Sequence, residues 1–107
     1  MPQPGEFWVA EIPFTSGVSS KRRPVLLLWL DGADAVVAAV TSAATRSTTD
    51  VPLLDWAQSG LRVPSTARLS RLDCLEQYLL QKRLGKLSTR DASQIKMVWL
   101  AHVNPRF

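Results

Sequence analysis

The stretch Lys21-Arg22-Arg23-Pro24-Val25-Leu26-Leu27-Leu28-Trp29-Leu30-Asp31-Gly32 decides the fold class. From Pro24 to Leu30 it is continuously apolar and of strand length, the pattern of a strand covered on both faces. Asp31-Gly32 is a strong hairpin signal, and Ala35 to Val40 is the returning strand. A basic run ending directly on a proline and an apolar strand is the feature around which the rest is arranged.

Working outward, Glu6 to Phe14 is predicted as a first strand, with Trp8, Ala10, Ile12 and Phe14 on one side of an alternation. Pro13 should end its regular pairing, because proline cannot donate to the ladder. Thr15 to Arg22 is expected as a loop. Thr41 to Asp50 is polar and hydroxyl-rich, Val51 to Leu54 is a short strand, and Gln58-Ser59-Gly60 ends a turn. Leu69, Leu72, Leu75, Leu79 and Leu84 recur at roughly helical spacing and by periodicity alone predict a helix. Leu61, Val63, Ala67 and Leu69 alternate instead, so the pattern leaves helix and strand both open there. Ser88 to His102 is the clearest helix. Ser88 is its N-cap, Asp91 completes a capping-box spacing, and Ala92, Ile95, Val98, Trp99 and His102 form an apolar stripe that Asn104-Pro105 stops. The result is a mainly antiparallel β domain closed by a C-terminal helix.

The chain has 107 residues, 46% of them hydrophobic and 21% charged. That length favours one domain over 1–107, and the composition is that of ordinary globular proteins. No apolar run approaches the roughly 20 residues of a membrane span, and no secretory signal is present, so a cytoplasmic location is expected. Cys74 has no cysteine partner and is expected as a small buried thiol. His102 is the only histidine, which leaves neither a zinc cluster nor a second histidine for acid–base work. The five glycines are scattered singly, so no phosphate-cradling loop exists. Thirteen Lys and Arg against nine Asp and Glu give a net charge of +4, compatible with an anionic partner. Ten of these cations fall in three sets: Lys21-Arg22-Arg23, then Arg62, Arg68 and Arg71, then Lys82, Arg83, Lys86 and Arg90.

Three stretches, in order and over nearly the whole chain, resemble the MazF/PemK family of toxins from bacterial toxin–antitoxin pairs. They are Gly5-Glu6-Phe7-Trp8-Val9-Ala10, then Lys21 to Leu28 followed by Ala38-Ala39-Val40-Thr41-Ser42, then Gly60-Leu61, Pro64-Ser65, Arg68-Leu69 and Leu84 to Ser88. The resemblance implies an SH3-like small barrel of antiparallel strands with a C-terminal helix, of the CcdB/PemK type, usually a homodimer. It implies strands rather than a helix over Leu69–Leu84. It further implies an endoribonuclease that needs no metal or other cofactor and cuts single-stranded RNA, often mRNA. The products would carry a 2′,3′-cyclic phosphate and a 5′-hydroxyl, and a cognate antitoxin would block the RNA groove.

Carried over residue by residue, the family's arginine before proline falls on Arg23 and its threonine at the end of the third strand on Thr41, with Ser42 as a second donor. Arg23 opens one strand and Thr41 closes the next, so both belong to the same sheet end. A guanidinium cannot act as a base at neutral pH, so Arg23 is expected to stabilise charge on the phosphate. Some relatives have an acid where this chain has Ser65, which leaves the general base unassigned. Phe14, Lys21 and Arg22 are expected as a groove wall, Arg68 as a phosphate contact, Ser65 as a hydrogen-bonding residue and Trp56 as a base-stacking surface. Trp8, Trp29 and Trp99 are expected in the core or a dimer interface. The rivals are a CcdB-like gyrase poison that cuts nothing and an inactive RNA- or antitoxin-binding module.

Overall fold

The computed structural model describes residues 1–13 and 19–107. Its strands are β1 (Glu6–Pro13), β2 (Ser20–Asp31), β3 (Asp34–Thr41), β4 (Asp50–Leu53), β5 (Ser65–Glu76) and β6 (Leu80–Lys86), followed by helix α1 (Thr89–His102). They form one sheet in the order β4-β5-β3-β2-β1-β6, with every neighbouring pair antiparallel. The hairpin between β2 and β3 is the expected one. Asp31 faces Asp34 across a two-residue loop, and Gly32, at φ +60°, takes the first loop position, where a left-handed backbone excludes most side chains.

The basic run is strand, not loop. Ser20, Lys21 and Arg22 pair with Pro13, Ile12 and Glu11, because β1 continues to Pro13 and offers them partners. The ladder between β2 and β3, by contrast, begins only at Val25 opposite Ala39. Pro24, one residue before it, has no N–H to extend that ladder. Continued by two residues, the same register would set Arg23 opposite Thr41, but these two are not paired with each other at this end of the sheet.

Alternation then sorts the side chains onto two cores. Phe7, Leu26, Ala38, Val40, Val51, Leu53, Ala67 and Leu69 pack with Ile95 of α1 on one face. Ala10, Val25, Leu27, Ala35, Val37, Leu75 and Leu80 form the other, with Trp8 and Ile12 half-buried against it. Trp29, expected in a doubly covered strand, is 43% exposed and meets Trp99 edge to face, ring centroids 5.8 Å apart. A register shift between Leu27 and Trp29 turns its side chain outward toward the helix.

The helical periodicity of Leu69–Leu84 is overturned: the segment is the end of β5, a short 3₁₀ turn (Gln77–Leu79) and β6. A bulge explains the misleading spacing. Ala39 pairs with Arg68 while Ala38 pairs with Leu72, so residues 69–71 are extra on β5. Leu69 therefore enters the first core and Leu75 the second, a change of face that a constant period of two does not contain.

The edge strands β4 and β6 are not hydrogen-bonded to each other, so the small barrel is an open, curled sheet. Its edges meet where the turn after β4 touches β6. Gly60, at φ +89°, and Gly85 pack backbone to backbone, and a Cβ on either would overlap the carbonyl of Leu84 or Ser59. Ser88 caps α1 as expected, its Oγ accepting the Asp91 N–H at 3.1 Å. The Asp91 carboxylate does not complete the box. Buried, it accepts the N–H groups of Leu54 and Asp55 at 3.0 and 2.9 Å and ties the helix to the turn after β4. His102 is exposed, and Val103 takes its place in the apolar stripe. Cys74 is exposed rather than buried, since it falls beyond the β5 bulge on the outer face. No described helix is long and apolar enough to cross a membrane.

Candidate functional site

One end of the sheet gathers most of the expected site residues. Here β2 begins, β3 and β4 end, and β5 begins. Thr41 closes β3 and pairs with Thr66 of β5, which is buried. The Thr41 hydroxyl oxygen accepts the Ala43 N–H at 3.1 Å. That bond occupies a lone pair and leaves the hydroxyl proton free to donate outward.

Arg23 is exposed and pairs through its backbone with Ala10. Its parity along β2 is that of Val25, so it lies on the face of the second core, as Thr41 does by the parity of Val37. Lys21 shares that face, and Arg22 lies on the opposite one. Among the described residues the ion pairs are Arg68–Asp50, Arg83–Glu6 and Arg90–Asp55, and Lys21, Arg22 and Arg23 take part in none.

Arg68 is a different case. Its Nε donates to Asp50 Oδ1 at 3.3 Å, with side chains only 18% and 1% exposed, so its charge is spent inward. Burial would raise the Asp50 carboxyl, but the Arg46 N–H and the Arg68 guanidinium outweigh it and hold the group below its usual range. Asp50 thereby fixes both the start of β4 and the loop before it. Phe14 lies outside the described residues.

Carboxylates near this end are already committed. Glu11 accepts the Ser20 hydroxyl at 2.6 Å and Gln81 Nε2 at 2.7 Å, on the face opposite Arg23. Asp55 accepts Arg90 Nη2 at 2.7 Å and the Ser88 hydroxyl at 2.6 Å, which lower its pKa. Asp73 pairs with Val37, toward the hairpin tip. Among the described residues no cluster of His, Cys, Asp or Glu is arranged to hold a metal ion.

Beside Thr41 lies a cavity of about 390 Å³ that brings Ser42, Trp56 and Ser65 together with Thr45, Pro52 and Thr66. Ser65 donates to the Val63 carbonyl at 2.8 Å, capping its turn. Trp56 is half-buried, packed on the first core and open on the cavity side. Sequence reasoning missed Thr45, Pro52 and Thr66. The first stood in plain view in the hydroxyl-rich run after Thr41, and the last depends on the strand pairing. A second cavity, about 960 Å³, lies between residues 3–6, the middle of β2 and α1, and includes Trp29, Lys96 and Leu100.

The sequence matches the family model of PemK-like, MazF-like toxins of type II toxin–antitoxin systems over residues 3–101. The chain belongs to this family. Among solved structures it is similar to an endoribonuclease from a mycobacterial species, at 14% identity and a TM-score of 0.75, over 99% of this chain and 94% of that one. It is also similar to the Mycobacterium tuberculosis toxin MazF-mt6, at 22% identity and a TM-score of 0.69, over 87% and 90%. A MazE–MazF structure from Deinococcus radiodurans aligns at 18% identity and a TM-score of 0.70, over 90% and 89%. None of the curated proteins compared matches the sequence significantly. The MazF-like fold is thus shared across the whole chain, while at these identities the site must be argued from its own residues.

Proposed function

We propose that this MazF-like toxin is an endoribonuclease that cuts single-stranded RNA at a short sequence, without a metal ion. The observation that supports it most is the end of the β2–β3 ladder at Val25, beyond which the exposed Arg23 and the Thr41 hydroxyl fall on the same face of the sheet end. In the reaction the ribose 2′-oxygen attacks the adjacent phosphorus and the bond from phosphorus to the 5′-oxygen breaks. The 2′-hydroxyl loses its proton, the 5′-oxygen gains one, and the products are a 2′,3′-cyclic phosphate and a 5′-hydroxyl.

Arg23 supplies the cationic fork for the phosphate oxygens as charge builds on them. Thr41, its oxygen already accepting from Ala43, donates a hydrogen bond to the phosphate, with Ser42 as a second donor. Both act by stabilising charge, since the nearby carboxylates are engaged elsewhere. Lys21 and Arg22 guide the RNA backbone to this sheet end. The active form is a homodimer acting in the cytoplasm, each copy one domain over 1–107, held inactive by a cognate antitoxin; a similar mycobacterial endoribonuclease is solved in complex with its cognate antitoxin, and the Deinococcus MazF with MazE.

The test is cleavage of a long single-stranded RNA in EDTA, with the ends mapped by primer extension and by phosphorylation of the 5′-hydroxyls. Discrete cuts with 5′-hydroxyl ends are expected. No cut on a sequence-rich RNA would contradict the reading and favour a gyrase poison or an inactive binding module.

A further inference from the structure

The cavity beside Thr41 differs from its surroundings in one chemical respect: none of its lining side chains is charged. It opens at the sheet end that carries Lys21, Arg22 and Arg23, yet its lining includes the aromatic Trp56, the prolines Pro52 and Pro64, Leu53 and Leu54, and the hydroxyl-bearing Ser42, Thr45 and Thr66. A cationic mouth beside a neutral, partly aromatic recess divides a nucleotide into its two parts. The phosphate belongs outside with the guanidinium, and the base belongs inside.

We infer that this cavity takes one unstacked nucleobase of the RNA, stacked on Trp56, and so sets base preference next to the cut. The inference rests on the endoribonuclease reading and adds the site of base recognition. Its volume, about 390 Å³, lies at the small end of the roughly 300–1,000 Å³ range of ligand pockets, which suits a base with its ribose. Single-stranded RNA is read in this manner, by bases splayed onto aromatic side chains and hydrogen-bonded at their edges. Ser42 adjoins Thr41 in the chain and Thr66 pairs with it, so a base held there lies next to the reacting phosphate. The Trp56 ring is held from behind. Its turn is anchored to α1 by Asp91 through the Leu54 and Asp55 N–H groups, and the indole rests on the first core.

The test compares wild type with Trp56→Ala, Trp56→Phe and Ala44→Phe, using a single-stranded RNA with a randomised segment and, in parallel, binding of an oligonucleotide methylated at its 2′-hydroxyls. Ala44 is exposed on the cavity rim, so a phenylalanine there fills the recess without removing a core contact, which guards against a Trp56→Ala protein that fails to fold. Trp56→Ala and Ala44→Phe should weaken binding about five- to hundredfold and flatten base preference at one position beside the cut, whereas Trp56→Phe should keep both. Wild-type cleavage with the same base preference and affinity in all variants would overturn the inference and leave the endoribonuclease reading intact. A wild type that binds without cutting, but loses that binding in Ala44→Phe, would support the recess while the cleavage reading fails. A wild type that neither binds nor cuts would overturn both.

Discussion

The same three strands, β2, β3 and β5, end in opposite chemistry. At the hairpin end stand Asp31, Asp34, Asp73 and Glu76, around a closed turn in which Gln77 donates to the Gly32 carbonyl at 2.8 Å. At the other end stand Lys21, Arg22 and Arg23, with the hydroxyls of Thr41, Ser42, Ser65 and Thr66, and the ladder stops short at Val25. From Lys21 to Asp31 the strand runs about 33 Å at roughly 3.3 Å per residue, several times the screening length of about 8 Å in physiological salt. The two ends therefore present separate fields. A polyanion is drawn to one and repelled by the other, and the end that attracts it is also the one whose backbone is left open.

The largest expected effect comes from removing the charge at the open end. Arg23→Ala should lower the single-turnover cleavage rate about 10³-fold or more, the scale of a charge-stabilising arginine in phosphoryl transfer, with an unchanged melting temperature. Thr41→Ala should cost about 10²-fold, the usual loss of one donor to a developing oxyanion, and Thr41→Ser should recover most of it. Replacing Lys21 and Arg22 together by alanine should raise KM about tenfold at low salt, flatten its salt dependence and leave kcat nearly unchanged, because these groups meet the backbone and not the reacting atoms.

Acid titration tests the carboxylates paired with arginine. Glu6, Asp50 and Asp55 are held below their ordinary values of 4.5, 3.8 and 3.8. For Glu6 and Asp50 burial pushes upward but is outweighed by donors from Arg83 and from Arg46 and Arg68; for Asp55 the bonds from Arg90 and Ser88 lead. The unfolded chain thus binds these protons first. This stability is fully present above about pH 5 and is lost progressively as pH falls below those ordinary values, which a series of melts from pH 7 to 3 would follow. Smallest of all, Asp31→Asn with Glu76→Gln at the hairpin end should change cleavage by less than about twofold, read in the same single-turnover assay.

The contrast between the ends was partly legible in the chain. Basic residues, a proline, an apolar run and Asp31-Gly32 announce a strand with a cationic start and a tight turn, since each signal is local. What was hidden depends on pairing over distance. Nothing near Arg68 says that it turns inward to Asp50, and nothing near Asp91 says that its carboxylate serves the turn at Leu54 and Asp55 instead of its own helix. Leu69, Leu72 and Leu75 imitate a helix because a bulge moves the strand from one core to the other, and only the partner strand reveals the extra residues. The recess beside Thr41 is hidden for the same reason: its walls come from three separate segments, residues 42–45, 52–56 and 64–66.

Amide hydrogen exchange on the protein bound to a single-stranded oligonucleotide with methylated 2′-hydroxyls tests directly which end meets RNA. Protection confined to residues 20–23, 41–45, 52–56 and 64–66, with none at 31–34 or 73–76, is the predicted result. Protection at the acidic hairpin, or only along α1 and the groove beside Trp29, would contradict the assignment of the open end as the cleaving site.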